Sequence, residues 1–539
     1  MSGFRRNDRI RDRESAAWLR IAATLAMLLA VQPLHAQTSA DEAGETTTSP
    51  SPGGSPAVVS VSCASTAGER TQCPANTAAG VVLLRSNAPA ACLLGKTWGY
   101  DDVAVWVSNG CDGEFAIGPS QTPAPAPPPP PQDSREPTQP RFETWSEFEP
   151  GGGFLVGRTG AGELALSAYA MVRYLNQMPG NDTYVDHLGN DRAVDGRNDI
   201  FPHRVIVYLK GWVGRPQLIY NIALWTVNTT DQDAIFGNLG YQFSRAFSLY
   251  GGINGNPGTR SMQGSHPYWL GHDRVMADEF FRPFFASGVW AQGEPVSGLW
   301  YNVMAGNSNS ALGIKATQLD RRLTPSGSLW WMPTTKEFGP KGAYGDWEWH
   351  EKVATRFGIS ATQSREQRYT DTNTGETGNT TLRLADSLNV FDTGVLAPDV
   401  TVQWVDFRIL SFDAGLKYRG IFLQTEFYAR RLDNFVADGP LPVTAIDDKG
   451  FYVQGAFYPV PRKLEVYGVT SQVFGDKDAG FDHSSEYGVG MNFYPVGVRN
   501  HRLNVQLLDV NGTPVSSTFG YYVGGQTGTT LSAAFSVFF

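Results

Sequence analysis

The chain lacks any run of about 18 or more apolar residues beyond its first forty positions, which excludes a bundle of membrane-spanning helices. Basic residues are also in short supply. Lysine is scarce, and the 539 residues carry a net charge of -9. Nucleic-acid binding, which rests on a basic patch, is therefore not expected. Cysteine occurs only at Cys63, Cys73, Cys92 and Cys111. That stretch holds no Cys-x-x-Cys pair and no histidine, so zinc is the weaker reading. An even, clustered set in an exported chain implies two disulfides made in an oxidising compartment, here the periplasm, and the spacing leaves their pairing open. No metal or cofactor is expected. Aromatics and glycine, by contrast, are abundant (30 Phe, 21 Tyr, 14 Trp, 59 Gly). This mixture suits many strands, tight turns and aromatic girdles.

The first 36 residues read as a secretory signal. Arg5, Arg6, Arg9, Arg11, Arg13 and Arg20 form a positive region, Ile21 to Leu34 an apolar one, and Leu34-His35-Ala36 a cleavage site before Gln37. The alternative is a retained N-terminal anchor. Residues 37–56 are rich in Ser, Thr, Gly and Pro and are expected to be a disordered linker. Residues 57–118 form a small four-cysteine β domain, with strands at Val58 to Ser62, Val81 to Arg85 and Val103 to Val107. A unit of this size buries little apolar surface, so its disulfides, each contributing about 2–4 kcal/mol, are needed for stability. Residues 119–140 include the proline run Pro127 to Pro131 and read as an extended polyproline spacer.

From Arg141 to the end, residues 141–539, segments of about ten residues alternate apolar with small or polar side chains between turn clusters. Good strand patterns occur at Leu164 to Arg173, Val205 to Trp212, Leu218 to Val227, Phe247 to Gly252, Phe284 to Ala291 and Leu299 to Met304. Others are Ala354 to Thr362, Phe422 to Arg430, Phe451 to Phe457, Tyr487 to Phe493 and Leu503 to Leu507. With weaker segments the total comes to about 16 strands. The fold class is therefore all-β: a transmembrane antiparallel β-barrel preceded by a small disulfide-bonded β domain. A soluble β-propeller is the alternative, but no internal repeat of fixed period is visible. The last residues place Leu531, Ala533, Phe535, Val537 and Phe539 on one face. This resembles the C-terminal strand of bacterial outer-membrane proteins, which ends in an aromatic residue.

A second resemblance lies in the hairpin Gly415-Leu-Lys-Tyr-Arg-Gly-Ile-Phe-Leu-Gln-Thr-Glu-Phe-Tyr-Ala-Arg430 and in Gly450-Phe-Tyr-Val-Gln-Gly-Ala-Phe-Tyr458. Both are similar to segments of the phosphate-selective porin family (the O/P type), and Asp273-Arg274 is similar to that family's acidic-Arg pair on a loop that folds toward the pore. The resemblance covers the barrel only. It implies sixteen strands in outer-membrane lipid, a homotrimer, and passive diffusion of small anions such as phosphate. The chain departs from the family in its sparse lysine and in a slight excess of acidic over basic residues across 141–539.

The period of two sorts residues between lipid and lumen. Leu423, Thr425 and Phe427 face lipid; Glu426 and Arg430 face the lumen with Asp413 and Lys417 on the partner strand, and Arg204 and Arg356 join them. Charge on a spanning strand is cheaper inward. These are the pore-lining candidates, and the plainer alternative is that opposed pairs such as Lys417 with Glu426 neutralise each other and stiffen the wall. The long segment Gly258 to Pro283, with Arg260, His272, Asp273, Arg274 and Arg282, is the candidate constriction loop. Its alternative is an external loop packed on a trimer neighbour. No enzyme is expected. His483 beside Ser484 or Ser485 lacks an orienting third group, and adjacent strand residues point to opposite faces.

The small domain resembles an uncharacterised exported four-cysteine family in its Trp98-Gly-Tyr100, Trp106-Val107, Gly110-Cys111 and Glu114-Phe115. Trp98, Tyr100 and Trp106 are either core aromatics or a stacking surface for a peptidoglycan sugar. The rival to a porin is thus a closed barrel that anchors a glycan-binding domain. The stretch Tyr344 to His350, aromatic and acidic, has no assignment from sequence.

Overall fold

The computed structural model describes residues 59–78, 80–117, 153–178, 180–227, 232–264, 266–309, 321–369, 382–516 and 520–539. The expected signal, residues 1–36, and the linkers 37–56 and 119–140 lie outside the described residues. The chain divides into two compact units, within 1–138 and 139–539.

In the first unit, strands β1 (Val59–Ala64), β6 (Asp112–Ile117) and β3 (Val81–Ser86) form one antiparallel sheet. Strands β2 (Arg70–Pro74), β5 (Ala104–Ser108) and β4 (Trp98–Tyr100) form another. The disulfides join Cys63 to Cys73 and Cys92 to Cys111, which resolves the pairing that the spacing left open. Trp98 is buried in the core with Val105, Val107 and Phe115, its ring 4.8 Å from that of Phe115. Trp106 instead lies across the neighbouring strand. A Cβ on Gly99 would come within 2.5 Å of its indole, which explains the glycine in Trp98-Gly-Tyr100.

The second unit begins with a short strand, β7 (Phe154–Thr159), followed by β8 (Gly162–Gln177) and a small hairpin, β9 (Thr183–Val185) with β10 (Asp191–Ala193). The chain continues through β11 (Asn198–Val213), β12 (Arg215–Val227), β13 (Gln232–Ser244), β14 (Phe247–Gly255), β15 (Phe285–Val296), β16 (Leu299–Gly306) and β17 (Thr324–Trp331). It ends with β18 (Ala354–Gln367), β19 (Val402–Tyr418), β20 (Ile421–Ala437), β21 (Ala445–Val460), β22 (Leu464–Phe474), β23 (His483–Phe493), β24 (His501–Asn511) and β25 (Gly528–Phe538). Strands β8 and β11 to β25 form a closed antiparallel barrel of sixteen strands. Closure runs from Thr530 opposite Gln177 to Phe538 opposite Tyr169. Strand β7 pairs with the remaining length of the same edge of β8, and Phe154 meets Phe539 with ring centroids 4.8 Å apart. No backbone edge is left on the seam.

At one end of the barrel the connections are tight, as at Gly214, 245–246, 297–298, 419–420 and 461–463. The other end carries the longer loops. Along the long barrel strands such as β8, β20 and β24 the burial alternates, and the outward set is largely apolar. Leu423, Phe427, Tyr487, Val489, Met491, Phe493, Leu503, Leu507 and Phe535 are all exposed, while Gln424, Glu426, Tyr428 and Arg430 on β20 are buried. An apolar belt of this kind is stable only against hydrocarbon. Phe427→Arg is therefore expected to destabilise the barrel by about 2–4 kcal/mol. Denaturant titration of protein folded into lipid vesicles measures this, and an unchanged midpoint would place that face in water.

Candidate functional site

The connection between β14 and β15 does not stay at the mouth. It turns into the lumen, where it forms a short 3-10 turn, Arg260–Gln263, and a helix, α1 (Met276–Phe281). The barrel wall supplies its hydrogen-bond partners. The backbone N–H groups of Met276 and Ala277, at the helix start, donate to Glu486 Oε2 (2.9 Å) and Ser471 Oγ (2.7 Å). These are orphan donors of a helix with no side-chain cap of its own, and the wall satisfies them. Arg260 N donates to Glu426 Oε1 (2.9 Å) and Gln263 Nε2 to Ser360 Oγ (3.1 Å), while Asp273 N donates to the hydroxyl of Tyr521 (2.8 Å), on the connection between β24 and β25. His272 lies between Asn504 Oδ1 (3.0 Å) and Ser532 Oγ (3.1 Å). All five charged or titratable residues singled out in this segment are thus inside the barrel and buried.

The wall candidates face the same space. A register shift between Pro202 and Arg204 lets His203 and Arg204, neighbours in sequence, both turn inward. Arg204 Nη2 then donates to Asp273 Oδ2 at 2.9 Å, and His203 Nε2 stands 3.7 Å from the same oxygen. Arg356 pairs with Asp413 (3.0 Å) and Arg430 with Asp448 (2.6 Å). Within the inserted segment Arg282 pairs with Glu279 (2.6 Å), and Arg274 lies 3.8 Å from Asp278 and over the Trp269 ring. The expected pair of Lys417 with Glu426 does not form. In the antiparallel register Lys417 stands opposite Phe422, and Glu426 opposite Asp413. Lys417 Nζ instead donates to the Phe338 carbonyl (2.8 Å) and lies 3.7 Å from Glu348. None of Arg204, Arg356, Asp413, Lys417, Glu426 and Arg430 is more than 6% exposed. They meet one another or the segments folded inside the barrel rather than open water.

Sequence reasoning missed a second inserted segment, 332–353, which joins β17 to β18 at the end with the tight turns. It contains the unassigned stretch Tyr344 to His350, whose alternation of acidic and aromatic residues was its only signal. Asp346 Oδ2 accepts from Gly420 N (2.7 Å), and Arg499 donates to Glu348 Oε1 (2.7 Å) and to the Tyr344 carbonyl (2.7 Å). His350 sits between two carboxylates, with Nδ1 close to Asp346 Oδ1 and Nε2 2.8 Å from Glu337 Oε1. Burial acts to lower its pKa, but the bonds to Asp346 and Glu337 outweigh it and hold the imidazole up at about 9. Asp346, Glu348 and His350 bring ligand-type atoms within 4.8 Å of one another. Both imidazole nitrogens already face carboxylates, and Glu348 faces Lys417 and Arg499, so the group is a closed ion-pair cluster. At the loop end, His483 Nε2 meets Gln472 Oε1 (2.7 Å) while the Ser484 hydroxyl donates to the Gly512 carbonyl; the two side chains do not meet.

Residues 45–131, which include the four-cysteine unit, match the family model described as a protein of unknown function (DUF3011). No curated protein matches the chain. Among solved structures the chain is similar to the outer-membrane expressed OmpT of Vibrio cholerae, at 11% identity over 71% of this chain and 99% of that one, with a TM-score of 0.45. It is similar to an anion-selective porin from Comamonas acidovorans at 11% identity, 70% and 100% coverage and a TM-score of 0.42. For the outer membrane channel DcaP of Acinetobacter baumannii the values are 8% identity, 72% and 100% coverage, and 0.41. The fold assignment rests on the strand order and register given above.

Two outcomes follow from the site geometry. Arg356→Ala leaves Asp413 buried beside Glu426 with only the more distant Arg260 guanidinium, 3.8 Å away, and is expected to destabilise the barrel by about 3 kcal/mol in the same vesicle titration. The His350 cluster has a raised folded-state pKa, so its stabilisation is complete below the ordinary histidine range and is lost as pH rises through about 9. Protease cleavage within 332–353 is expected to rise across that step, and His350→Gln to abolish the step.

Proposed function

We propose that this chain is a porin of the bacterial outer membrane that lets small polar solutes diffuse passively through a lumen narrowed by inserted segments. The observation that carries this reading is the combination of a closed sixteen-strand barrel, an apolar outer belt, and a charged segment folded inside between β14 and β15. Rings of fixed charge at close range are how such a passage sorts ions. The tight-turn end, where the chain enters β7 and leaves β25, faces the periplasm in this reading, and the four-cysteine domain resides there.

The anion preference implied by the family resemblance rests on Arg260, Arg274 and Arg282 in the inserted segment and on Arg204, Arg356 and Arg430 in the wall. Carboxylates stand beside these cations at Asp273, Asp278, Glu279, Asp413 and Asp448. Pairing of this kind leaves a weak net field, so selectivity between anions and cations is small, with phosphate admitted as one solute among others. A homotrimer is the proposed assembly. The second reading is the closed anchor, in which the barrel only holds the N-terminal domain at the cell wall. It draws on the burial of the inward charges. In the small domain Tyr100 and Trp106 remain as sugar-stacking candidates, since Trp98 is a core residue.

Planar-bilayer recording with the purified protein separates the two. The porin reading expects discrete conductance steps and a reversal potential near zero under a KCl gradient. Absence of steps, both in the native chain and in a variant with 258–283 shortened, would leave the anchor.

A further inference from the structure

We infer that the segment 332–353 is a strap that closes the periplasmic mouth of the barrel and has to leave its seat for solute to pass. The inference rests on the porin reading and adds its regulation. Five observations carry it.

The first is length. The neighbouring connections at this end include Gly214, 297–298 and 419–420, which only turn the chain, whereas 332–353 is long enough to cross the opening. The second is depth. Phe338, Ala343, Tyr344 and Asp346 are buried, and Phe338 and Tyr344 pack with Trp269, Trp330 and Phe422. The third is the breadth of the seat. The strap is held by Lys417 and Gly420 at the β19–β20 turn, by Arg499 beyond β23, and by the rings of Tyr458 and Tyr494, which lie 6.2 Å and 4.6 Å from that of Trp347. Bonds thus run from the strap to strand ends around the mouth, not to its own two flanking strands alone.

The fourth observation is that the strap meets the segment inserted from the opposite end. Tyr344 N donates to the Tyr268 carbonyl at 2.8 Å, and an Arg260 guanidinium N–H donates to the Gly342 carbonyl. The Arg260 guanidinium also lies over the Tyr344 ring at 4.8 Å. The two insertions meet inside one lumen, so departure of the strap also frees bonds that hold the segment between β14 and β15. The fifth is backbone strain. Lys336, Lys341 and Trp349 have φ of 66°, 51° and 61°. Side chains other than glycine rarely occupy this region, and they persist there only where the surroundings hold them. Three such residues in this one connection store strain that release of the seat relieves.

The test uses the full chain, whose four cysteines are all in disulfides. Ala343→Cys therefore places the one free thiol at a buried point of the strap. Reaction with a membrane-impermeant maleimide reports departure from the seat, and planar-bilayer recording of the same sample reports opening. Adding Arg499→Ala removes two bonds of the seat, and Glu348→Gln, a milder change, weakens the pairs with Arg499 and Lys417. Heat-modifiable gel migration confirms that each variant is folded. Both are expected to raise the labelling rate at least ~10-fold, the scale of one lost charge-assisted hydrogen bond, and to raise opening frequency in step. Folded variants that label no faster overturn the strap, whatever their conductance. Faster labelling with no conductance in any variant supports a strap that moves but overturns the porin reading.

Discussion

A strand that crosses hydrocarbon has to hand each backbone N–H and C=O to a neighbour, because no water is there to take them. In this chain the requirement is met at the seam between β25 and β8, where nine residue pairs run from Thr530–Gln177 to Phe538–Tyr169, and β7 covers the rest of the edge. Everything else depends on that closure. Once the sheet is a cylinder, the period of two forces each strand to show one face to lipid and the other to the interior. The outward face is apolar because hydrocarbon is. The inward face is then free to carry charge, provided that each charge finds a partner.

The interior meets that condition with the chain's own segments. Carboxylates on the wall accept backbone donors from the helix and turn of the inserted connection, as Glu486 does for Met276 and Glu426 for Arg260. Guanidiniums on the wall and segment pair with carboxylates on each other, as Arg204 does with Asp273. A buried charge stripped of its partner is far more costly than an exposed one, so these contacts fix the position of the segment as firmly as packing does. The polar lining and the inserted segments are two halves of one arrangement, and the groups to which the proposed function assigns ion sorting are those that seat the segments.

How much of this was legible in the sequence follows the same physics. The facing of β20 was legible because Leu423, Thr425 and Phe427 alternate with Gln424, Glu426 and Tyr428 over a long run. Strand β17 was not, because Pro325 and Gly327 dilute its outward face while Ser326 and Ser328 make the inward face unremarkable. Strands β13 and β22 escaped for a related reason: glycine interrupts the contrast in each. The charge of a residue and its inward direction could be read, but not its partner, since partner choice is set by register: Lys417 falls opposite Phe422 and not Glu426. The disulfide pairing was likewise a matter of three-dimensional proximity. The strap 332–353 showed only the acidic and aromatic run Tyr344 to His350. A segment packed inside a polar lumen needs neither helical nor strand periodicity, only donors, acceptors and rings at the right places.

The central claim is that the two insertions are seated on the wall and on each other, and hydrogen exchange in a lipid bilayer tests it most directly. The amides of Arg260, Asp273, Met276, Ala277 and Tyr344 each have a defined acceptor inside the barrel. The account predicts that they exchange as slowly as amides in the middle of β19 and β20. Exchange as fast as that of the exposed turn 461–463 would contradict it, and would describe a barrel whose charged interior faces free water.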